Sequence, residues 1–191
     1  MKRLERQDYL NWLIQHKDKQ IIKVVTGVRR CGKSTIFEIY RDYLLSQGIL
    51  PGQIIALNFE DLDYEELTDY RALYQYVKER LCPDKMNYIF LDEIQHVDAY
   101  EKAVDSLFLR ENCDVYITGS NAWFMSGELA TLLTGRYAEL SMMPLSFAEF
   151  CDGLDEERKS LPLNEKFTQY METGSFPYVL KYQYGPAEAR E

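Results

Sequence analysis

The chain has 191 residues and a formal net charge of −9, with 46% hydrophobic and 28% charged residues. This composition excludes an intrinsically disordered chain and favours one well-packed domain with a small appendage. Nucleic-acid binding by this segment is also disfavoured, because proteins that hold a phosphate backbone usually carry a basic patch, and none is evident here.

Membranes, zinc and disulfides are disfavoured as well. No apolar stretch approaches the ~20 residues needed to span a bilayer, and the amino-terminal segment is too polar for a signal peptide. The four cysteines are isolated and there are two histidines, so we expect neither a zinc site nor a disulfide framework. The sequence therefore predicts a soluble, cytoplasmic protein with free thiols and no membrane partner.

Apolar runs alternate with helical patterns along the chain, after a short amphipathic helix predicted over 3–16. The predicted strands are 20–28, 53–60, 87–94, 114–121 and 136–143. The helices predicted between them are 34–47, 64–81, 98–111 and one near 123–133. Strands that alternate with helices pair in parallel, so we predict an α/β fold with three layers and a five-stranded parallel sheet.

After the fifth strand the pattern changes to short helices. They include SFAEF at 146–150 and LNEKFTQYMETG at 163–174. The polar segment between them, 152–163, marks a boundary. We place the core domain in 1–150 and the beginning of a helical lid in 151–191.

The stretch GVRRCGKS, at 27–34, satisfies the pattern G-x-x-x-x-G-K-[ST] between a predicted strand and a predicted helix. Its glycines permit a turn whose amides point at phosphate, and the following helix adds its positive N-terminus. Lys33 is expected to reach the β- and γ-phosphates, and the Ser34 hydroxyl to bind Mg²⁺. The alternative is an ordinary strand–turn–helix connection. The candidate phosphate-binding residues of the loop are Gly27, Val28, Arg29, Arg30, Cys31, Gly32, Lys33 and Ser34.

The sequence leaves the roles of three residues in this loop undecided. Arg29 and Arg30 are either solvated charges or residues that steer the nucleotide. Cys31 precedes the start of the helix, whose N-terminus is expected to lower the pKa of its thiol. The sequence therefore raises the hypothesis of a thiol-sensitive nucleotide site.

The stretch YIFLDEI, at 88–94, places two carboxylates at the end of a strand that is predicted to be buried on both faces. Unpaired buried charge is costly, so these residues need a reason to be there. A Walker B strand supplies one, with Asp92 holding Mg²⁺ and Glu93 polarising an attacking water. The alternative is a strand end that simply reaches the surface.

The stretch ITGSN, at 117–121, ends the fourth predicted strand with polar residues. In P-loop ATPases of this type (the ASCE type) the fourth strand lies between the first and third, which predicts the strand order 5-1-4-3-2. Ser120 or Asn121 would then lie beside the γ-phosphate and position the water, with Ser120 preferred. A Gly-Ser turn that leaves the strand is the alternative.

Two further candidates lie later in the chain. Arg136, before the fifth strand, has a guanidinium suited to a γ-phosphate of its own site or of a neighbouring chain, or to an ion pair with Glu128 or Glu139. Pro177, in TGSFPYVL at 173–180, belongs either to an apolar lid over adenine or to a helix cap and packing turn.

Five stretches of the sequence together resemble one family, the bacterial and archaeal AAA-type ATPases with an LDEIQ Walker B motif, a branch near the STAND-like P-loop ATPases. The stretches are IKVVTGVRRCGKST, YIFLDEIQHV, VYITGSNA, LATLLTGRYAELSMMPLSFAEF and TGSFPYVL. The resemblance covers essentially the whole chain. Members are usually about twice as long, with a winged-helix or nuclease-like region after the ATPase core, so the resemblance implies that this chain is the N-terminal portion.

The resemblance adds residues to the predicted site. It implies Thr35 for phosphate and Mg²⁺, and Arg6 and Tyr9 as residues that flank adenine. It also implies Arg136 as an arginine finger or stabilising residue, whose face would meet a protein partner or a second copy. The family often has Gly-Gly before the late Phe-Pro, whereas this chain has Gly174 and Ser175.

The predicted function is ATP or ADP binding with Mg²⁺-dependent attack of water on the γ-phosphate, in a regulatory or switch ATPase. A small-molecule kinase shares the loop but usually lacks the Asp-Glu strand end and the polar sensor strand. A GTP switch reads guanine with Asn-Lys-x-Asp, which the nearest match, NEKF at 164–167, does not fit. An ATP-gated interaction module that does not hydrolyse its nucleotide remains the main alternative.

Overall fold

The computed structural model describes residues 4–119 and 135–181. The strands are β1 (Ile22–Gly27), β2 (Ile54–Asn58), β3 (Asn87–Asp92), β4 (Cys113–Thr118) and β5 (Tyr137–Met142). The helices are α1 (Gln7–Gln15), α2 (Lys33–Ser46), α3 (Tyr70–Arg80), α4 (Tyr100–Phe108), α5 (Phe147–Gly153), α6 (Glu156–Lys159), α7 (Leu163–Thr173) and α8 (Tyr178–Lys181). The helix predicted near 123–133 lies outside the described residues.

The five strands form one sheet in the order β2-β3-β4-β1-β5. Every neighbouring pair runs parallel. This confirms the predicted fold class and the predicted order 5-1-4-3-2, which is the same order read from the other edge. Because β4 lies between β1 and β3, the carboxyl ends of these three strands are adjacent.

Helices cover both faces of the sheet, as the β-branched and aromatic strand sequences require. Successive side chains of a strand point to opposite faces. Ile89 and Leu91 of β3 therefore join a core cluster with α3 and α4, whereas Tyr88 and Phe90 of the same strand join a cluster with α1 and α2. The two clusters make the three layers of the fold.

The boundaries of two predicted helices were wrong. The segment 64–81 is divided into a 3₁₀ segment, Leu62–Leu67, and α3. Asp69 separates them, because its extended backbone begins a new helix and its carboxylate accepts hydrogen bonds from two amides of the first turn of α3. Helix α1 begins at Gln7 because the preceding Arg6 has a left-handed backbone, with φ 45°.

The chain after β5 packs around a small hydrophobic cluster of its own. Its buried members are Phe150, Leu154 and Val179. On α7, Leu163, Phe167 and Met171 are exposed, and their i, i+4, i+8 spacing places them along one stripe of the helix. The domain boundary at residue 150 stays a prediction.

A buried polar network lies on the α1 and α2 face, near the amino ends of the strands. Lys23 of β1 and Asp114 of β4 form an ion pair, and their side chains are 0% and 1% exposed. The second oxygen of Asp114 accepts a hydrogen bond from Tyr116 Oη at 2.7 Å and from the Asp18 amide at 2.9 Å. Lys23 also donates to the Lys19 carbonyl at 2.7 Å. Each charge of the pair is therefore hydrogen-bonded, as burial demands.

Among residues 4–119 and 135–181, no helix combines the length and the apolarity that crossing a membrane requires.

Candidate functional site

The polar residues singled out in the sequence converge where three neighbouring strands end. Gly27 ends β1, Asp92 ends β3 and Thr118 ends β4. The carboxyl ends of parallel strands lie at one edge of the sheet, where open α/β folds place their ligand sites. The loop at 27–34 therefore lies beside the two carboxylates of the Asp92–Glu93 pair.

The two glycines of the loop are required for different reasons. A Cβ on Gly27 would lie 2.5 Å from the Met142 carbonyl oxygen and 2.7 Å from the sulfur of Cys31, so the backbone there passes too close to its neighbours for a side chain. Gly32 has φ 105° and directly precedes α2, a backbone conformation that glycine adopts readily. The turn places the N-terminus of α2 at the end of the loop, where its free amides and partial positive charge favour an anion.

Lys33, the first residue of α2, is 4% exposed. Its Nζ donates to the Gly27 carbonyl at 3.2 Å and lies 3.3 Å from Glu93 Oε1. An ammonium group has three donors. Lys33 therefore bridges the loop and the carboxylate that follows β3, and it keeps one donor for a further acceptor.

Asp92 is 7% exposed and is held by hydroxyl groups. Thr118 Oγ1 donates to Asp92 Oδ1. Burial raises the pKa of Asp92, while hydrogen bonds from the side chains of Ser34 and Thr118 and the charge of Lys33 act in the opposite direction. Ser34 and Asp92 are the two residues that the sequence predicts as Mg²⁺ ligands.

Glu93 has a left-handed backbone, with φ 52° and ψ 49°. Non-glycine residues rarely adopt this conformation, which is found where surrounding contacts fix it, often at functional sites. Its amide donates to Thr118 Oγ1 at 2.9 Å. The kink turns Glu93 out of the strand direction and places its carboxylate beside Lys33.

Thr118 is a site residue that the sequence analysis missed. Its fully buried hydroxyl is shared by the carboxylate of Asp92 and the amide of Glu93. The sequence predicts a fourth strand that reaches residue 121 and a polar role for Ser120 and Asn121, which lie outside the described residues. The available signal was the polar Thr118 at the end of an apolar run, in the strand predicted to lie beside the Walker B strand.

Thr118→Val should destabilise the protein by about 1–3 kcal/mol, because the isosteric side chain leaves a buried amide and a carboxylate oxygen without this partner. Thr118→Ser keeps the hydroxyl and should cost about 0.8 kcal/mol for the lost methyl group. Urea unfolding of the two variants checks this. Equal losses for valine and serine would show that the hydroxyl of Thr118 does not hold the two acidic residues.

The central residues of the loop differ in exposure. Val28 is 43% exposed, and the exposed Arg29 pairs with Glu60, which follows β2, at 2.9 Å. Arg30 is exposed with φ 68°. These three side chains face outward, whereas Cys31 is fully buried.

The expected lowering of the Cys31 pKa was wrong. Burial raises the pKa of this thiol, and the nearby charges of Lys33 and Arg6 only partly oppose it. Because the thiolate is the reactive form, a buried thiol with a raised pKa is inert. The structure does not support the thiol-sensitive site.

The side chain of Arg6 connects the loop at 27–34 to the segment that follows β5. Its guanidinium forms a two-point pair with Glu149 at 2.8 and 3.1 Å, and donates to the Cys31 carbonyl at 2.9 Å and to the Met143 carbonyl at 2.9 Å. Burial would raise the pKa of Glu149, but the hydrogen bonds from Arg6 and from the Ser146 backbone outweigh it, and the pKa is lowered. Arg6 thus fixes the phosphate loop to the chain that follows β5.

The other two residues expected near adenine are Tyr9 and Pro177. Tyr9 Oη accepts a hydrogen bond from the Met143 amide at 3.2 Å, and the Arg6 guanidinium lies 4.4 Å from the Tyr9 ring centre. Pro177 lies over the loop, because its Cγ is the nearest atom, at 3.8 Å, to a Cβ built on Gly32. The Leu145 amide donates to the Ser175 carbonyl at 2.7 Å, which ties the segment carrying Pro177 to the end of the sheet.

Arg136 lies away from these residues. Its carbonyl accepts from the amide of Ile22, the first residue of β1, and its side chain pairs with Asp105 of α4. A strand of six residues spans about 17 Å. Arg136 is therefore at the amino ends of the strands, at the opposite edge of the sheet from the loop, and does not reach the phosphate loop of its own chain.

Two oxygen-bearing side chains near the carboxyl ends of the strands are suitable ligands for Mg²⁺. This ion prefers hard oxygen ligands, usually one or two from the protein with the rest from phosphate and water. The hydroxyl of Ser34 and the carboxylate of Asp92 are such a pair, and the Ser34 side chain acts to lower the pKa of Asp92. Within residues 4–119 and 135–181 no cluster of three or more His, Cys, Asp or Glu side chains is arranged to hold a metal.

The chain is similar to known proteins in sequence and in fold. A model of the AAA domain family matches residues 19–151. A curated, uncharacterised protein of Haemophilus influenzae is 43% identical over 178 residues, which cover 93% of this chain and 44% of that protein. The chain thus spans less than half the length of this relative.

Solved structures share the fold at low identity. The Walker-type ATPase PABY2304 of Pyrococcus abyssi superposes with a TM-score of 0.64 at 16% identity, over 98% of this chain and 70% of that one. AMPPCP-bound DnaA from Aquifex aeolicus superposes with a TM-score of 0.60 at 10% identity, over 96% and 60% of the two chains. The family match covers more than half of the chain, which belongs to the AAA domain family and has the fold of an AAA-type P-loop ATPase.

Proposed function

We propose that this domain binds ATP with Mg²⁺ and hydrolyses it by attack of water on the γ-phosphate. The observation that carries the proposal is the contact between Lys33 Nζ and Glu93 Oε1 at 3.3 Å. A phosphate-binding lysine and a water-polarising carboxylate are thereby brought together at the carboxyl ends of β1 and β3. Positioning and electrostatics of this kind account for most of the catalysis in phosphoryl transfer.

Each residue then has a distinct role. The amides of the loop and the N-terminus of α2 bind the phosphates, together with Lys33. Ser34 and Asp92 hold Mg²⁺, with Thr35 beside them, and the metal when bound neutralises the negative charge of the phosphates. Glu93 accepts a proton from the attacking water. Ser120 or Asn121 remains our proposal for the sensor of the γ-phosphate.

Pro177 and Tyr9 are proposed to border the base. Pro177 is supported by its place over Gly32, in the loop that is proposed to bind the phosphates. Tyr9 is supported by its hydrogen bond to the Met143 amide, which places it beside the chain that leaves the sheet. Arg6 is proposed to act indirectly, because its hydrogen bond to the Cys31 carbonyl fixes the loop.

Arg136 is proposed to act on a neighbouring copy or another protein partner. Its side chain is 45% exposed and its ion-pair partner, Asp105, is 36% exposed, so an approaching chain can compete for the guanidinium. The biological role we propose is that of a regulatory switch, in which binding and hydrolysis alternate between two states. Sedimentation with and without ATP measures whether the nucleotide changes the assembly.

Phosphate release from ATP without any added acceptor tests the proposed reaction. We expect Mg²⁺-dependent release, above the background of a matched Lys33→Met preparation, and weaker binding of GTP than of ATP. Release that requires an acceptor molecule would identify a kinase, and preference for GTP would identify a GTP switch. ATP that stays bound and intact for many hours would identify a non-hydrolysing, ATP-gated module.

A further inference from the structure

Both carboxylate oxygens of Glu93 have partners in the structure. Oε1 lies 3.3 Å from Lys33 Nζ, and Oε2 accepts a hydrogen bond of 2.6 Å from Nε2 of Gln95. Gln95 belongs to the 3₁₀ turn Ile94–His96, which follows Glu93 directly. The direction of the carboxylate is therefore set from two sides, by the phosphate loop and by the turn after β3.

The side-chain amide of Gln95 points its NH₂ group at Glu93 and leaves its own carbonyl oxygen without a partner in the described part of the chain. Its Oε1 is buried and has no hydrogen-bond partner among the described residues. Rotating the amide by half a turn would place this oxygen against a carboxylate, which has no hydrogen to offer. The carboxylate thus dictates the orientation of the amide, whereas an amide that serves packing alone would have both ends satisfied.

The short connection between the two residues makes this contact rigid. Glu93 has a left-handed backbone, and the His96 amide donates to the Glu93 carbonyl at 3.2 Å, which closes the turn around Gln95. Ile94, between them, is fully buried in the core cluster with α3 and α4. The backbone that carries both side chains is therefore anchored in the core.

We propose that Gln95 is a positioning residue that holds the Glu93 carboxylate in the direction needed to accept a proton from the attacking water. Lys33 contacts one oxygen of Glu93 and is also the residue expected to contact phosphate, so Gln95 is the partner dedicated to the carboxylate. The inference rests on the proposed ATPase function and concerns how the Glu93 carboxylate is kept aligned with the attacking water. Small losses of alignment between reacting groups reduce catalytic rates strongly.

Two substitutions remove the donor in different ways. Gln95→Met keeps a chain of similar length without a hydrogen-bond donor, and Gln95→Glu keeps the shape but places a second carboxylate against Glu93. We expect both to lower kcat for ATP hydrolysis by about 10- to 100-fold, with KM and the affinity for nucleotide without Mg²⁺ within about twofold of the wild type. The thermal midpoint of Gln95→Met should be unchanged.

The matched control is Gln75→Met. Gln75 makes the same kind of contact, from Nε2 to Glu79 Oε1 at 2.7 Å, on the exposed surface of α3. This variant should hydrolyse ATP at the wild-type rate. A kcat of Gln95→Met equal to that of Gln75→Met would overturn the proposal, and so would a joint change of kcat, KM and thermal midpoint, which would mark a structural role.

A double substitution tests whether Gln95 acts through Glu93. In a Glu93→Gln background, Gln95→Met should have no further effect on kcat, because the carboxylate that it positions is absent. Additive losses would contradict a role through Glu93. If Glu93→Gln alone leaves hydrolysis unchanged, the proposed function itself fails, which separates that result from a failure of the inference about Gln95.

Discussion

Glu93→Gln should reduce the rate of ATP hydrolysis by about 10²- to 10⁴-fold, the range that a positioned general base contributes. The substitution removes the basic oxygen and keeps the shape of the side chain. The new amide is able to point its oxygen at Lys33, and its NH₂ group is able to donate to Oε1 of Gln95 once the Gln95 amide has rotated by half a turn. The fold of the site and the affinity for ATP should therefore be retained. Single-turnover measurements of ATP cleavage, with nucleotide binding measured separately, check both expectations.

The matched control for this substitution is Glu60→Gln. Glu60 pairs with Arg29 of the same loop, but its side chain is 45% exposed, and exposed ion pairs contribute little to stability. This variant should cleave ATP as fast as the wild type. If the two variants behave alike, the carboxylate of Glu93 is not the base; if Glu93→Gln loses ATP binding as well as cleavage, its role is in the binding of phosphate.

The fold was predictable because its signals are local and strong. Buried parallel strands read as continuous apolar runs, and β3 and β4 showed them clearly. The strand order followed from the likeness of the Asp92–Glu93 strand end to P-loop ATPases of the ASCE type, in which the fourth strand lies between the first and third. The boundaries of α1 and α3 were less predictable, because they depend on the backbone conformations of Arg6 and Asp69.

The charged residues of the candidate site were predictable, but the residues that hydrogen-bond to the two acidic ones were not. Lys33 belongs to the pattern G-x-x-x-x-G-K-[ST], whose spacing is fixed, and Asp92 and Glu93 directly follow an apolar run, so all three stand out in the sequence. Thr118 and Gln95 act through hydrogen bonds to those acidic residues. Such partners come from the three-dimensional pairing of strand ends and from a 3₁₀ turn, neither of which a motif encodes.

Arg136 and Arg6 show why a charged residue near a motif is hard to interpret. Arg136 precedes β5, so its position depends on the register of β5 against β1, which pairs Ile22 with Tyr137 and Gly27 with Met142. This register puts it at the end of the sheet that is remote from the loop. Arg6 lies beside the loop, but its donors are occupied by Glu149 and by backbone carbonyls.

Removing one member of the buried pair Lys23–Asp114 should cost about 3–5 kcal/mol of unfolding free energy, because it leaves an uncompensated charge in the core. The pair is almost completely inaccessible to solvent. Asp114→Asn keeps the size of the side chain but removes the negative charge that faces Lys23. Urea unfolding at neutral pH measures the loss. Lys17→Met, which breaks the partly exposed pair with Asp18, is the control and should lose about 1 kcal/mol or less.

The pH dependence of the Asp114→Asn variant separates charge burial from a packing defect. Burial lowers the pKa of Lys23, and the charge of Asp114 opposes this shift in the native protein. Without Asp114, the folded pKa lies further below the unfolded value of about 10.4. Between these two pKa values the unfolded state binds more protons, so the variant gains stability as the pH rises. A loss of stability that does not change with pH would indicate a packing defect.

A combined substitution of both charges should restore much of the lost stability. Lys23→Met with Asp114→Leu replaces the pair by apolar side chains on the α1 and α2 face, where Tyr40 and Tyr116 already pack together. Replacing a buried ion pair by well-packed apolar residues is often neutral or stabilising, since the desolvation cost of both charges disappears. The hydroxyl of Tyr116 keeps a partner in Tyr40 Oη at 3.0 Å. A double variant as unstable as Asp114→Asn would show that this network, with Asp18 and Lys19, stabilises the fold through its hydrogen bonds.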